Sequence, residues 1–184
     1  MESATLRYWI TSAMHTGEQG GQAEFEAFYA RTARHLHGYL CRLGRDSAIA
    51  DEILQESYVR MINAPNLDDQ ARKSYLYRTA TNLLRDVWRR RKLEKEYWLR
   101  EPVPKAVLPN LNLSLDVAAV FEKLSPLDRA VLWLVYVEQM SHRETAAILG
   151  LKEKSIKVIA FRARNKAKEL FEMEGWGVAH ETDR

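Results

Sequence analysis

The chain has 184 residues, enough for one domain of ordinary size or two small ones. Its apolar fraction of 46% is that of a globular protein, and it lacks the run of ~20 apolar residues that a membrane span requires. The single cysteine, Cys41, excludes an internal disulfide, and the first residues do not resemble a signal peptide. We therefore expect a cytoplasmic protein without a membrane span.

Basic residues are concentrated in two segments, although the net charge is only +3. Between positions 72 and 92, eight Lys and Arg residues stand against Asp86 alone, and between 152 and 168, seven stand against Glu153 alone. Two basic patches in a nearly balanced chain favour two contacts with a polyanion such as nucleic acid. The alternative is that both are solvated helix faces.

The N-terminal half predicts an extension and three helices. Residues 1–21 lack a strong period, whereas the segments 25–44 and 47–62 have apolar residues at helical spacing. The second of these helices has a polar face formed by Asp51, Glu52, Gln55 and Glu56. A loop is expected over residues 64–73, before a third helix, SYLYRTATNLLRDVWRRRKLEKEYW, from Ser74.

The predicted third helix has an apolar and a polar side. The residues expected on its core side are Leu76, Ala80, Leu83, Leu84, Val87 and Trp88. The residues expected off the core are Arg78, Thr81, Asn82, Arg85 and Arg89. A side that combines cations with an amide suits a nucleic-acid strand, because cations hold phosphates and an amide can read a base edge.

Three of the five prolines fall in EPVPKAVLPN, a composition that stops helices and favours an extended linker. We therefore predict an all-α protein in which a linker at 99–114 joins small helical domains at 22–98 and 115–172, followed by a tail at 173–184. No segment alternates with a period of two for long enough to predict a strand.

The C-terminal domain contains a helix-turn-helix pattern. Ser141 and Glu144 form a capping box that begins a helix. The spacing of the next residues is typical of this motif. Ala146 is small enough for the two helices to touch, Gly150 permits the turn, and Ile156 is expected to be buried on the second helix. On the second helix the residues expected to be buried are Ile156, Ile159, Ala160, Ala163, Ala167 and Leu170.

The opposite side of that second helix is basic and carries an aromatic residue. Its outward or flanking residues are Lys154, Lys157, Val158, Phe161, Arg162, Asn165 and Lys168. Phe161 could meet a thymine methyl while Lys157 and Arg162 reach phosphate or guanine. The alternative is that Phe161 packs on a neighbouring helix of its own domain.

These motifs together resemble the small extracytoplasmic-function (ECF) sigma factors of bacterial RNA polymerase, over roughly residues 25–171. ADEILQESYVRM is similar to the family's region 2.2, and RKSYLYRTATNLLRDVWRRRK to regions 2.3 and 2.4. LSPLDRAVLWLVYVEQMSHRETAAILGLKEKSIKVIAFRAR is similar to region 4.

The resemblance implies a sigma factor that needs no cofactor and acts at the nucleoid. Its partners would be core RNA polymerase, through the β′ clamp helices and the β flap, promoter DNA as duplex and as melted strand, and an anti-sigma factor. The polymerase-binding residues would be Asp51, Glu52, Gln55 and Glu56. The melted minus-10 element would meet Arg72, Lys73, Tyr75, Arg78, Asn82, Arg85 and Arg89. The minus-35 duplex would meet Lys154, Lys157, Val158, Phe161, Arg162 and Lys168.

The sequence departs from the family pattern at several of these positions. Tyr75 replaces the usual Trp, and Val158 stands where a small polar residue is common. The loop before the third helix carries Asp68 and Asp69, so the base preference does not transfer from the family.

Other functions have less support in the sequence. His37 and Cys41 at helical spacing supply at most half a zinc site, and there is no Gly-rich phosphate loop, HExxH or nucleophile elbow, so we do not expect an enzyme. Two alternatives remain open: a helix-turn-helix regulator that acts without polymerase, and a sigma-like decoy that binds only an anti-sigma factor. The first needs no acidic face, and the second would be expected to lose its DNA-facing cations.

Overall fold

The computed structural model describes residues 19–64, 67–97 and 115–173, and this part of the chain is helical, without strands. The N-terminal half comprises α1 (Gln19–Gly44), α2 (Ser47–Ile62) and α3 (Asp69–Tyr97). The C-terminal half comprises α4 (Leu115–Lys123), α5 (Pro126–Leu132), a π-helical turn (Trp133–Val137), α6 (His142–Leu149) and α7 (Glu153–Met173). The predicted linker at 99–114 lies outside the described residues, so the domain boundaries stay a prediction.

The N-terminal half packs around aromatic and aliphatic side chains from all three helices. Leu36, Tyr39 and Leu40 of α1 are fully buried together with Leu76 and Tyr77 of α3. The α1–α2 connection is short because Arg45 takes a left-handed conformation with φ 57°. Asp46 then caps α2, its carboxylate accepting a 3.1 Å hydrogen bond from the amide of Ile49.

The third helix begins earlier than predicted. Asp68, which was expected in the loop, caps α3 by accepting a 2.8 Å hydrogen bond from the amide of Ala71. Residues 69–73 are therefore helical, and the expected loop over 64–73 is too long. Asx caps of this kind satisfy amides that have no partner in a first helical turn, which is why an acidic residue favours the earlier start.

Thr81 is buried and does not lie on the polar side where the sequence pattern put it. Its hydroxyl donates a 2.7 Å hydrogen bond to the carbonyl of Tyr77, so the 2.9 Å contact with Tyr39 has the tyrosine as donor. A threonine on a helix can satisfy its hydroxyl locally, which allows it to be buried in a core. Burial raises the pKa of Tyr39 to about 12.

The C-terminal half contains the helix-turn-helix as the sequence predicted. Ser141 and Glu144 form a reciprocal capping box at the start of α6. Gly150 follows α6 with φ 64°, and its left-handed conformation turns the chain into α7. The preceding helix begins with Pro126, as expected, but it widens into the π-helical turn before Gln139 takes φ 58°.

The two halves pack against each other through one continuous core. Leu84 of α3 and Leu43 of α1 belong to the same buried cluster as Trp133, Leu134 and Leu149 of the C-terminal half. This close packing was not anticipated from the sequence, in which a proline-rich segment separates the halves.

Candidate nucleic-acid interface

The outward face of α7 is exposed along the second helix of the helix-turn-helix. Ile156, Ile159, Ala160 and Ala163 are buried as predicted, while Ala167 and Leu170 are only partly buried. The predicted contact residues all lie in solvent: Lys154, Lys157, Val158, Phe161, Arg162 and Lys168. Periodicity therefore separated the buried and outward faces of this helix correctly.

Two large apolar side chains stand exposed among the cations of α7. Val158 is 62% exposed and Phe161 is 59% exposed, so Phe161 does not pack on a neighbouring helix. The guanidinium carbon of Arg164 lies 6.0 Å from the centre of the Phe161 ring. An apolar pair framed by positive charge is suited to the major groove, where phosphates surround base edges and thymine methyl groups.

The residues on the basic side of α3 differ in how exposed they are and in the contacts they make. Arg78, Asn82 and Arg89 are exposed, and Arg89 makes a 3.0 Å surface contact with Asp86. Tyr75 is partly buried. Arg72 is held by Glu24 at 2.8 Å and lies 5.6 Å from the centre of the Phe28 ring.

Lys73 and Arg85 are partly buried, and both contact the C-terminal half. The ammonium of Lys73 lies 3.0 Å from the carboxylate of Glu138. The guanidinium of Arg85 donates a 2.8 Å hydrogen bond to the carbonyl of Leu149. The structure thus brings together only part of the predicted minus-10 set on one open surface.

The polar face of α2 lies on the surface of the N-terminal half. Asp51, Glu52 and Gln55 are exposed, and Glu56 is partly exposed. Asp51 accepts from His37 at 3.0 Å, and Glu56 pairs with Arg60 at 2.7 Å. Surface pairs of this kind are weak, so the carboxylates remain accessible to a basic partner.

His37 and Cys41 lie in contact on α1. The sulfur of Cys41 lies 3.6 Å from the nearer ring nitrogen of His37, and burial raises the thiol pKa to about 12. A raised pKa lowers the fraction of the thiol present as thiolate, which is the nucleophilic and metal-binding form.

Glu138 is a buried residue between the two halves that no sequence pattern predicted. Its side chain is only 2% exposed and lies between the two halves of the chain. It accepts hydrogen bonds from Lys73, from the indole of Trp133 at 3.0 Å and from His35 at 3.2 Å. Nothing in the local sequence marks this glutamate, because Lys73 and His35 lie more than sixty residues away along the chain.

Family comparisons match both halves of the chain. Sigma-70 region 2 matches residues 28–94, and sigma-70 region 4 matches residues 114–166. The fold and its matches therefore define the class of the protein. It is a transcription initiation factor that contains a region 2 and a region 4.

The relatives narrow that class further. The RNA polymerase sigma-E factor of Streptomyces avermitilis is 30% identical over 167 residues, covering 83% of this chain and 88% of the relative. The ECF RNA polymerase sigma factor SigE of Mycolicibacterium smegmatis is 25% identical over 164 residues, covering 84% of this chain and 64% of the relative. The chain belongs to the ECF group of sigma-70 factors, the subunits that direct RNA polymerase to promoters.

The fold is shared with a solved sigma factor. The sigma factor RpoE of Bartonella quintana, in complex with the anti-sigma factor NepR, superposes with a TM-score of 0.68 at 22% identity. The match covers 82% of this chain and 98% of that chain. No helix in the described part of our chain is long and apolar enough to cross a membrane.

Proposed function

We propose that this chain binds core RNA polymerase through α2, melts the minus-10 element on α3 and holds the minus-35 duplex on α7. The exposed pair Val158 and Phe161, framed by Lys157 and Arg162 on the second helix of a helix-turn-helix, carries the proposal. An apolar pair so exposed gains most free energy when a partner covers it.

The minus-35 contact is assigned to the outward face of α7. Its exposed cations are Lys154, Lys157, Arg162 and Lys168, which would neutralise phosphates and reach guanine edges, while Val158 and Phe161 would contact thymine methyl groups. Val158 adds apolar surface where relatives commonly carry a small polar residue, so the preferred upstream sequence would be specific to this protein.

The minus-10 contact is assigned to the basic side of α3. The exposed residues Arg78, Asn82 and Arg89 would receive the melted strand first, with cations on phosphates and the amide on a base edge. Arg72, Lys73, Tyr75 and Arg85 would complete the surface.

The polymerase contact is assigned to Asp51, Glu52, Gln55 and Glu56, whose carboxylates suit the basic, polar surface expected of the β′ clamp helices. The C-terminal half would also meet the β flap. An anti-sigma factor is the expected regulator, and the related Bartonella quintana sigma factor was solved with one. The site of action would be the cytoplasm, at the nucleoid.

Run-off transcription tests the proposed function. Purified core polymerase is given a genomic promoter library with and without this protein. We expect specific start sites that appear only with the protein, and their alignment would reveal both promoter elements. Absence of such starts, despite duplex binding by the full chain, would favour a helix-turn-helix regulator. Absence of both, after any co-purifying inhibitor is removed, would favour a decoy.

A further inference from the structure

A small cavity lies where the end of α1 meets α4 and α5. Its lining residues are Arg42, Arg45, Phe121, Glu122 and Arg129. The volume of the cavity is about 10 Å³, which is room for about one water molecule or a monatomic ion of similar size. None of the five residues belongs to the surfaces assigned to polymerase or promoter DNA. We call the three arginines of this lining the arginine cluster.

Two members of the arginine cluster are buried and incompletely hydrogen-bonded. Arg42 is 5% exposed and Arg129 is 4% exposed. Within the described residues, Arg42 Nη1 and Arg129 Nε are buried without a hydrogen-bond partner. Unpaired donors on a buried guanidinium are costly, because water no longer solvates them and no other acceptor replaces it. Both donors therefore call for an acceptor that the protein itself does not supply.

Backbone carbonyls satisfy only part of the arginine cluster. Arg129 Nη1 donates a 2.8 Å hydrogen bond to the carbonyl of Arg42, and Arg45 donates to the carbonyl of Glu122. Both carbonyls lie in the last turn of a helix, where carbonyls lack helical partners and attract cations. A carbonyl carries no net charge, so it orients a guanidinium without neutralising it.

Positive charge exceeds negative charge around the cavity. Three guanidinium groups line it together with one carboxylate, that of the exposed Glu122. In the part of the chain that the structure describes, no ion pair joins Glu122 to any of the three arginines. Burial, and secondarily the charge of Arg45, lowers the pKa of Arg129 to about 10, and burial also lowers the pKa of Arg42. Since arginine stays protonated in proteins even when buried, these charges lack a counter-charge.

From these contacts we propose that the arginine cluster is a binding site for a small inorganic anion of about the size of chloride. The ion would occupy the cavity, accept hydrogen bonds from the buried donors of Arg42 and Arg129, and offset the repulsion between the guanidinium groups. A water molecule has a similar size but no net charge, and a phosphate is larger than the cavity. A halide is therefore the ligand that volume and charge favour together.

Thermal unfolding of the full chain tests the site. The melting temperature is followed as sodium chloride replaces sodium gluconate at constant ionic strength, because gluconate is too large for the cavity. We expect a saturating increase, which reaches about 3–6 °C when chloride is at about ten times its dissociation constant. Sodium phosphate at the same ionic strength is the oxyanion arm.

Arg42→Met separates binding in the cavity from a general effect of salt. The variant removes one buried guanidinium, while the backbone carbonyl of residue 42 can still accept from Arg129. Because an unpaired buried charge is replaced by an apolar side chain, we expect the variant to be at least as stable as the natural chain in gluconate. It should lose the increase that chloride produces. Arg34→Met removes the same charge from an exposed position on α1 and should keep that increase.

Bromide locates the ion directly. Crystals of the natural chain grown in sodium bromide should show an anomalous peak within hydrogen-bond distance of Arg42 Nη1 and Arg129 Nε. Helicity by circular dichroism verifies that each variant is folded, and Arg129→Met takes the place of Arg42→Met if the latter is not.

A bromide peak in the cavity, together with a chloride effect that Arg42→Met loses and Arg34→Met keeps, supports the site. A cavity without a peak would overturn the proposal, as would equal chloride effects in the two variants. An increase that requires Arg42 in phosphate but does not occur in chloride would overturn the assignment to a halide. These readouts use neither polymerase nor DNA, so they succeed or fail independently of the run-off test.

Discussion

The guanidinium of Arg85 donates a 2.8 Å hydrogen bond to the backbone carbonyl of Leu149, across 64 residues of sequence. This hydrogen bond joins α3, which is assigned to the melted strand, to the end of α6. The turn at Gly150 follows directly and leads into α7, which is assigned to duplex DNA. Arg85 is thus one of the residues that connect the two halves, and this hydrogen bond occupies one of the five N–H donors of its guanidinium.

Removal of two cations from α7 should weaken duplex binding without affecting polymerase. For Lys157→Ala with Arg162→Ala, we expect lower affinity for an upstream promoter duplex and a salt slope reduced by up to ~1.8, since each phosphate contact contributes ~0.9. Fluorescence anisotropy at several salt concentrations measures both. Arg31→Ala with Arg34→Ala removes the same charge from α1 and should leave the slope unchanged. A parallel loss of core polymerase binding would instead indicate misfolding.

Charge reversal on α2 should have the opposite effect. Asp51→Arg with Glu52→Arg places two cations against the basic surface expected of the clamp helices, so we expect a large loss of core polymerase affinity and unchanged duplex binding. A pull-down with purified core measures it, and Glu24→Arg with Glu26→Arg on α1 is the matched reversal. Undiminished recovery of core with the α2 variant would refute the assignment of this face.

Phe161→Ala should separate DNA recognition from stability. Because the ring is largely exposed, we expect little change in the melting temperature. Loss of an apolar contact with a base should reduce duplex affinity about tenfold, or ~1.4 kcal/mol. Ile159→Ala, on the buried side of the same helix, should instead lower the melting temperature. If Phe161→Ala proves as destabilising as Ile159→Ala, then Phe161 has a packing role.

The turn at Gly150 should tolerate Asn better than Ala. Its φ of 64° is strained for residues with a side chain, and a Cβ there would meet only ordinary contact, with Arg85 Nη1 at 3.9 Å. Gly150→Ala should therefore lose ~1–2 kcal/mol of unfolding free energy through conformation alone. Gly150→Asn should lose less, since Asn adopts the left-handed region more readily. Urea unfolding measures both losses. If Gly150→Ala and Gly150→Asn lose the same free energy of unfolding, steric crowding and not backbone conformation determines the loss.

Acidification should weaken the start of α6. The hydrogen bond from Ser141, followed by that from Gln70, lowers the pKa of Glu144. A carboxyl whose folded pKa is depressed contributes stability above its unfolded pKa, and this stability is lost as pH falls through the folded pKa. The stability difference between the natural chain and Glu144→Gln should thus shrink between about pH 5 and 3. Urea unfolding across that range measures it, and a difference independent of pH would contradict the role of the charge.

Local sequence was sufficient for the parts of the structure that depend on local interactions. Ser141, Glu144 and Gly150 predicted the helix-turn-helix because a capping box and a left-handed turn are made by residues a few positions apart. The outward position of Phe161 followed from helical periodicity in the same way. The polar face of α2 is exposed as its pattern indicated, although its contact with polymerase stays a prediction.

Contacts between distant segments were decided only by the tertiary structure. Helical periodicity predicted Thr81 off the core, but it is buried and hydrogen-bonded to Tyr39. The early start of α3 depends on Asp68, which caps the helix. No local pattern predicted that Lys73 would pair with Glu138, or that Arg85 would donate to the carbonyl of Leu149. Whether a charged side chain can be buried depends on which distant partner neutralises it. The sequence alone therefore determined the helical class, the turn and the faces of this sigma factor, whereas the packing of its two halves decided which of those faces are open.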